Sequence, residues 1–357
     1  MKNVDKNKIR KEIDSLDLKI LELLNKRAGF ALEIGRLKRK LGDKIYIPDR
    51  EKIVMTRILE NNKGPLTRES TQNIFNEILH SARALQASLK IAYFGPEATF
   101  THLAAVKNFG RYSEFISCKS IGDVFQAVEK NRADYGVVPI ENTTEGIVNH
   151  TLDIFYESDL LICSEINLRI EQCLLANAEN LKSIKKVFTH YQPLAQCRKW
   201  LEFNLMKVEI VEVSSTAEAA KLAAKTKNSA AIGSYLAGDV YKLKVMARGI
   251  EDSKENFTRF LVIGRQITNR SGYDKTSIMF SIKDKIGALH SMLAPFQKYG
   301  INLTKIESRP TKKKAWEYVF FIDLAGHIED KKVRLALQEL NKQCVFLKIL
   351  GSYPKAE

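Results

Sequence analysis

The first forty or so residues carry apolar side chains in alternating steps of three and four. The series runs Ile9, Ile13, Leu16, Ile20 and Leu23, and continues with Ala31, Ile34 and Leu41 after two longer gaps. This period predicts one long amphipathic helix, about Val4 to Leu41, whose apolar seam must pack on other helices. Two further helices are predicted after Pro48, over Asp49 to Asn61 and Thr67 to Leu89.

From about residue 90 the pattern changes to short β-branched runs that alternate with amphipathic helices. Tyr135 to Ile140 has the composition of an interior parallel strand, which Pro139 closes because proline cannot donate to a ladder. A second series of strands and helices follows, and a late strand returns in ARGIEDSKENFTRFLVI. A first lobe that is interrupted by a second and completed by a late strand predicts a two-lobed, hinged α/β fold with ligand in the cleft.

The C-terminal part is predicted to follow the order βαββαβ, which is the ferredoxin-like α+β arrangement. The predicted elements are Thr276 to Lys283, Gly287 to Lys298, Asn302 to Ser308, Trp316 to Leu324, Asp330 to Lys342 and Val345 to Gly351. The three patterns divide the chain into predicted domains at 1–89, 90–268 and 274–354. Such a multidomain division suits 357 residues, which are too many for one ordinary core.

Composition excludes several classes of protein. With 45% hydrophobic and 28% charged residues the chain is typical of soluble globular proteins, and no apolar run approaches the roughly 18 residues of a membrane span. The charged N-terminus lacks the apolar core of a secretory signal. The five cysteines are scattered, without a CxxC pair or His partners at metal spacing. Reduced thiols, a cytoplasmic location and no metal site are therefore expected.

The formal net charge of +15 raises the question of a nucleic-acid partner. Residues 1–90 hold 20 Lys and Arg against 12 Asp and Glu, yet they contain no interleaved aromatics and no Gly-rich basic tract that could track a phosphate backbone. We interpret the charge as a surface that concentrates small anionic substrates, and expect neither nucleic acid nor membrane as a partner.

Two cations, Arg27 and Lys38, fall on the apolar seam of the long helix, where burial is costly unless the charge is paired. They share a face and lie about 16 Å apart along the axis, so a small anion should fill the gap. Arg10 lies about 25 Å before Arg27 and could serve such a ligand only across a dimer. Glu51 and Gln86 could complete the pocket. The alternative is that both cations snorkel to the surface along their alkyl stems.

Polar side chains also follow several predicted strands of the α/β region. Glu141, Asn142 and Thr143 come directly after the strand that ends at Ile140, at the edge where ligands of open α/β sheets bind. A helix cap needs only one such residue, so a ligand site is the preferred interpretation. No GxGxxG fingerprint occurs, which argues against a nicotinamide dehydrogenase.

The cations and polar residues of the helical segment resemble those of the all-helical, AroQ-type chorismate mutases, over about residues 5–88. The matching residues are Arg10, Arg27, Lys38, Arg50, Glu51 and Gln86. The resemblance implies that Arg27 and the partner subunit's Arg10 hold the two carboxylates of chorismate. Lys38 and Gln86 would donate to the ether oxygen, Glu51 would meet the ring hydroxyl, and Arg50 would support this cluster.

The chemistry of that reaction fits the residue types. A Claisen rearrangement needs no nucleophile or cofactor, only a held conformer and stabilisation of charge on the breaking C–O bond. Two positions depart from the family pattern, because Ile47 and Ala82 stand where an Asp and a Ser contact the substrate hydroxyl. Glu51 would then carry that contact alone.

Six motifs in the middle of the chain resemble prephenate dehydratase. They are GPEATFTHLAA, VVPIENTTEG, THYQPLAQC, SSTAEAA, AAIGS and NFTRF, in this order over about residues 90–268. The resemblance implies a fold like that of type II periplasmic binding proteins, with the active site between the lobes. The candidate prephenate-binding residues are polar groups that follow predicted strands: Thr99, Glu141, Asn142, Thr143, His190, Gln196, Ser215, Thr216, Ser234, Thr258 and Arg259, of which Ser215 and Thr216 could be caps only.

Hydroxide is a poor leaving group, so a dehydratase site must donate a proton or a strong hydrogen bond to it. The family assigns that role to the threonine of the TRF motif, here Thr258. A threonine hydroxyl is a weak acid, which suggests that it relays or orients the proton. Glu141 would balance charge, and Arg259 would hold a carboxylate of the substrate.

The C-terminal segment resembles the phenylalanine-sensing ACT domain of these enzymes in two places. One is a helix start with Gly287, Ala288 and Leu289, where backbone amides can approach a carboxylate. The other, which closes a strand, consists of Glu307, Ser308, Arg309 and Pro310. The resemblance implies that L-phenylalanine binds between paired ACT domains and biases the dehydratase hinge.

The leading hypothesis is therefore a homodimeric or larger enzyme that acts on chorismate and then on prephenate, without cofactor. A ligand-responsive basic transcription regulator is the alternative, although such proteins begin with a compact helix-turn-helix of short helices. A solute-binding protein would need the secretory signal that is missing here.

Overall fold

The computed structural model describes residues 6–282, 286–310 and 318–356. Its contacts divide the chain into two compact units, Met1–Leu89 with Phe109–Glu114, and Lys90–Asn108 with Phe115–Glu357. The first unit is helical, as predicted. Its helices are α1 (Lys6–Leu41), α2 (Pro48–Asn61) and α3 (Arg68–Gln86).

The prediction of one long first helix is confirmed from Lys6 onward, and its predicted start at Val4 lies outside the described residues. A continuous helix of 36 residues is incompatible with the compact helix-turn-helix of the regulator alternative. Thr67 caps α3, but the helix ends at Gln86 rather than at Leu89, because Ala87 is already extended.

Most of the α1 seam is uncovered within the single chain. Its side chains at Ile9, Ile13, Leu16, Ile20 and Leu23 are 43–65% exposed, and the one buried residue of the described helix is Gly35. At Gly35, α3 comes close, since a Cβ there would lie 2.9 Å from Cγ of Gln86.

The second unit begins with two α/β lobes. Their helices are α4 (Phe100–Phe109), α5 (Ile121–Glu129), α6 (Asn149–Glu157), α7 (Tyr191–Gln196), α8 (Arg198–Asn204), α9 (Thr216–Lys225) and α10 (Tyr235–Tyr241). The strands are β1 (Lys90–Phe94), β2 (Glu114–Cys118), β3 (Tyr135–Asn142), β4 (Gly146–Ile147), β5 (Leu161–Arg169), β6 (Cys173–Asn177), β7 (Lys186–Thr189), β8 (Glu209–Glu212), β9 (Ser229–Gly233), β10 (Lys244–Arg248) and β11 (Phe257–Gly264).

The predicted late strand completes the first lobe. That lobe has the sheet order β2-β1-β3-β11-β5, and the second lobe has the order β10-β6-β9-β7-β8. One expectation was wrong: β3 is parallel only to β1 and runs antiparallel to β11, and it continues past Pro139 to Asn142. The missing proline donor is tolerated because the ladder between β3 and β11 is irregular there, with a register shift between Arg259 and Phe260.

The C-terminal module has the predicted βαββαβ order. Its elements are β12 (Asp274–Ser281), α11 (Ala288–Lys298), β13 (Leu303–Pro310), β14 (Tyr318–Ala325), α12 (Lys331–Asn341) and β15 (Phe346–Pro354). The antiparallel sheet order β13-β14-β12-β15 leaves β13 at an edge. The predicted end of the first strand at Lys283 and start of the third at Trp316 lie outside the described residues.

The module packs on the first lobe through β15 and β5. A Cβ at Gly351, whose φ is +157°, would overlap the backbone of Ile162, so the two strands approach as closely as a glycine permits. One apolar core contains both Phe155 and Ile162 of the lobe and Met279 and Tyr353 of the module. Within the described part of the chain, no helix is both long and apolar enough to cross a membrane.

Candidate functional site

The helical unit brings Lys38 close enough to Glu51 for each to affect the ionisation of the other. Lys38 is half-buried, and its Nζ donates to the carbonyl oxygen of Ile45 at 3.0 Å. Burial lowers the pKa of Lys38, while the charges of Glu51 and Asp43 oppose that shift. Burial raises the pKa of Glu51, against the opposing charges of Arg83 and Lys38. The arrangement is a partly desolvated cation beside an acid that is reluctant to ionise.

Arg83 on α3 is a member of this site that the sequence analysis missed. Its side chain is only 4% exposed, and Nε lies 3.3 Å from Oε1 of Glu51. The guanidinium stacks over the rings of Tyr46 and Phe109, at 4.9 and 5.6 Å from the ring centroids. The buried guanidinium of Arg83 therefore helps to fix the position of the Glu51 carboxylate. The only sequence signal for Arg83 was its position as a lone cation on the apolar face of α3. In the sequence alone, such a residue looks like an ordinary surface arginine.

The other predicted residues of the helical unit are dispersed in the single chain. Gln86 donates to the carbonyl oxygen of Ala82 at 3.3 Å, and its buried Oε1 has no hydrogen-bond partner among the described residues. Arg27 is half-buried, whereas Arg10 and Arg50 are exposed. Within the single chain, Lys38 of α1 lies near Glu51 of α2, Gln86 of α3 lies against Gly35 of α1, and Arg10 lies about 40 Å before Lys38 along α1.

In the first lobe, the ends of β3 and β11 bring Asn142 and Thr258 together. They are register partners, and Nδ2 of Asn142 donates to Oγ1 of Thr258 at 2.8 Å and to Oδ1 of Asn256 at 2.8 Å. Because Oγ1 of Thr258 accepts from Asn142, its own proton is directed elsewhere and can be donated. Oδ1 of Asn142 accepts from the backbone N–H groups of Thr144 and Glu145, which holds the amide in place.

The neighbouring Thr143 fastens the loop before β11. Its hydroxyl donates to the carbonyl oxygen of Glu255 at 2.9 Å and accepts from the N–H of Phe257 at 3.0 Å. Thr143 therefore supports the placement of Thr258 through the backbone.

Thr99 and Ser234 come from different lobes and meet at one loop. Oγ of Ser234 donates to the carbonyl oxygen of Ala98 at 3.0 Å, and Thr99 Oγ1 donates to the carbonyl oxygen of Pro96 at 3.0 Å. Ala98 has a φ of +69°, which His102 supports by accepting from the Ala98 N–H through Nδ1 at 3.1 Å. Burial lowers the pKa of His102 to about 4, so the ring is neutral and able to accept at neutral pH.

Four predicted residues have structural partners in the second lobe. Ser215 is the N-cap of α9, since its Oγ accepts from the N–H of Glu218 at 3.1 Å, and Thr216 is the first residue of that helix. Gln196 accepts from Gln172 at 3.1 Å. His190 precedes α7, and its ring lies 4.4 Å from that of Tyr191.

Arg259, the neighbour of Thr258, is buried with only 9% exposure. Nε donates to Glu165 at 2.7 Å, and Nη1 donates to Glu141 at 3.1 Å and to Asp323 at 2.6 Å. Nη2 donates to the Tyr353 hydroxyl at 3.0 Å. In this structure Arg259 donates to three carboxylates and one tyrosine hydroxyl of the protein, so a contact between Arg259 and a substrate carboxylate stays a prediction.

Two lysines complete this set of charges. Lys275 donates to Glu165 at 2.8 Å, and Lys305 donates to Glu141 at 2.5 Å. We refer to Arg259, Lys275, Lys305, Glu141, Glu165 and Asp323 as the charge cluster; its three cations and three acids balance. Burial opposes ionisation of Glu141 and Asp323, but the nearby cations prevail and hold the pKa of each carboxyl below its usual value. The cluster lies between the first lobe and the C-terminal module, where a local sequence signal could not reveal it.

The two motifs of the C-terminal module lie where they were expected. Gly287 has a φ of +76° and directly precedes α11, with Ala288 buried and Leu289 43% exposed. Glu307, Ser308, Arg309 and Pro310 end the edge strand β13. Arg309 forms an ion pair with Asp153 of α6 at 3.3 Å.

Three families of known proteins match separate parts of the chain. Residues 9–87 match the type II chorismate mutase family, residues 91–268 match the prephenate dehydratase family, and residues 276–342 match the ACT domain family. The bifunctional chorismate mutase/prephenate dehydratase of Aquifex aeolicus is 50% identical over 98% of this chain and 97% of its own length. That of Pseudomonas aeruginosa is 46% identical over the same shares.

A solved structure is also similar. The prephenate dehydratase of Arthrobacter aurescens, in complex with L-Phe, is 34% identical and superposes with a TM-score of 0.69. The match covers 75% of this chain and 90% of that one.

Proposed function

This chain belongs to the family of bifunctional chorismate mutase/prephenate dehydratases, and we propose that it converts chorismate to phenylpyruvate for phenylalanine biosynthesis under feedback inhibition by L-phenylalanine. The two activities follow from the family and its domains, whereas the site residues, the regulation and the homodimer are proposals.

In the first step, the helical unit holds the dianion chorismate in its reactive conformer. Lys38 Nζ and the amide Nε2 of Gln86 donate to the ether oxygen as the C–O bond breaks. Glu51, fixed by Arg83, meets the ring hydroxyl. Arg27 and the partner subunit's Arg10 bind the two carboxylates.

In the second step, the bond from the ring to its carboxylate breaks, carbon dioxide leaves, and the electron pair moves through the ring to expel the hydroxyl at the opposite carbon. That hydroxyl takes a proton and departs as water, leaving phenylpyruvate. The observation that supports this assignment best is the hydrogen bond from Asn142 to Thr258, which leaves the threonine proton available to the departing oxygen. Thr99, Thr143 and Ser234 shape the cleft around it, and His190 and Gln196 bind from the second lobe.

A single experiment tests the two steps and their regulation. Chorismate is supplied to the purified protein, prephenate and phenylpyruvate are followed together, and phenylalanine is then added. We expect prephenate to appear first and phenylpyruvate to follow, with phenylalanine slowing only the second. An unchanged rate at saturating phenylalanine would contradict the regulatory role of Gly287 to Leu289 and Glu307 to Pro310.

The exposed seam of α1 supports a homodimer in which two long helices pair. We expect Leu16→Glu to yield a monomer in sedimentation without phenylalanine, because a carboxylate would be buried on the seam. Mutase kcat/KM should fall by about 100-fold, the typical loss for removal of a positioned charge, since the partner's Arg10 no longer reaches the site. Lys11→Glu is the matched control, because it places a glutamate about 140° around the helix. A Leu16→Glu dimer with normal mutase activity would exclude this interface.

A further inference from the structure

Two ion pairs connect the edge strand β13 to the first lobe. Lys305 contacts Glu141 of β3 at 2.5 Å, and Arg309 contacts Asp153 of α6 at 3.3 Å. The same strand ends with the residues that we assign to phenylalanine, only two positions beyond Lys305. Among the described strands β13 pairs with β14 alone, so it can shift without breaking a second ladder there.

The remaining ion pairs of the charge cluster are more deeply buried than the Lys305–Glu141 pair. Arg259 and Glu165 have side chains 10% and 1% exposed, and Lys275 joins them from β12, in the middle of the module's sheet. Next to them, β15 packs tightly on β5 at Gly351. By contrast, the side chain of Glu141 is 33% exposed and that of Lys305 is 13% exposed. Water can therefore replace Lys305 on Glu141, whereas separation of Arg259 from Glu165 would leave buried charges unpaired.

The Lys305–Glu141 ion pair lies next to Asn142 and Thr258, the proposed catalytic pair. Glu141 and Arg259 are register partners, and Asn142 and Thr258 are the adjacent partners on the same two strands. Because successive side chains of a strand point to opposite faces, Lys305 holds one face of this two-strand segment while Asn142 and Thr258 lie on the other. A displacement of Glu141 is thus passed to Asn142 through one peptide unit.

We propose that the Lys305–Glu141 ion pair transmits the state of the ACT module to the dehydratase site, as the contact that phenylalanine binding alters. This inference rests on the proposed inhibition by phenylalanine. It assigns Lys305 a coupling role, because Arg259 still holds Glu141 when Lys305 is absent.

Lys305→Met tests the proposal in the full-length protein, with prephenate as substrate. We expect saturating phenylalanine to lower the dehydratase rate of the wild type at least tenfold and that of Lys305→Met less than twofold. Without phenylalanine, kcat should stay within about threefold of the wild-type value. Calorimetry should give a phenylalanine Kd within threefold of that of the wild type, and Lys305→Arg should restore inhibition.

Lys298→Met is the matched control, because it removes another ion-paired lysine of the same module, 2.6 Å from Glu339 but on an exposed surface. It should be inhibited like the wild type. If Lys305→Met does not fold, Lys305→Gln, which keeps a hydrogen-bond donor without the charge, replaces it under the same criteria.

The outcomes separate the two proposals. Inhibition of Lys305→Met equal to that of the wild type overturns the coupling role alone, and so does a Lys305→Met protein that no longer binds phenylalanine. A wild-type enzyme that phenylalanine does not inhibit overturns the proposed regulation and this inference together.

Discussion

Replacing Thr258 by valine is expected to lower dehydratase kcat by about 100-fold or more, the range for loss of a positioned proton donor. Valine keeps the β-branched shape that suits a strand and removes only the hydroxyl. Asn142 retains Asn256 as an acceptor at 2.8 Å, so the loop keeps its geometry. The loss should therefore appear in kcat with prephenate, with little change in KM.

Two comparisons make this result specific. Thr258→Ser keeps a hydroxyl beside Asn142 and should recover most of the activity. Mutase activity, assayed on chorismate, should be unchanged in both variants, because its residues belong to the helical unit. If Thr258→Val dehydrates prephenate at a near-normal rate, Thr258 is not the group that assists the leaving hydroxyl.

The local pattern of hydrophobic and turn residues was sufficient to predict the helices and strands and their order. Hydrophobic period and turn residues are short-range properties of the chain. It could not determine strand direction. Pro139 and the β-branched run before it suggested a parallel strand, yet the neighbour β11 comes from more than a hundred residues later and runs antiparallel. Likewise, nothing near Gln86 indicates that α3 ends there rather than at Leu89.

The candidate site shows the same limit at the level of side chains. Asn142 and Thr258 were recognised from motifs, and the structure joins them. Arg259 belongs to the same motif, but its partners Glu165 and Asp323 are 94 and 64 residues away in sequence. Sequence proximity to the proposed catalytic residue Thr258 therefore suggested a substrate role for an arginine that donates to other groups of the protein in this structure.

Replacing Lys38 by methionine is expected to lower mutase kcat by about 100- to 1,000-fold, the effect of removing one donor to a developing oxyanion. Lys38 lies in a partly desolvated setting, where burial lowers its pKa and the charge of Glu51 supports the protonated form. A cation in such a setting interacts more strongly with a breaking C–O bond than one in water. Methionine retains the length of the side chain without the charge, so chorismate binding should weaken less than kcat falls.

Lys40→Met is the matched control for Lys38→Met, because Lys40 lies two residues further along α1 and is exposed. It should leave mutase activity within about twofold of the wild type. Dehydratase activity, assayed directly on prephenate, should be unchanged in both variants, since Lys38 belongs to the helical unit and Thr258 to the other. If Lys38→Met and Lys40→Met have equal mutase activity, Lys38 does not stabilise the breaking C–O bond and contributes only to the basic surface. Chorismate would then be stabilised by other cations of the helical unit.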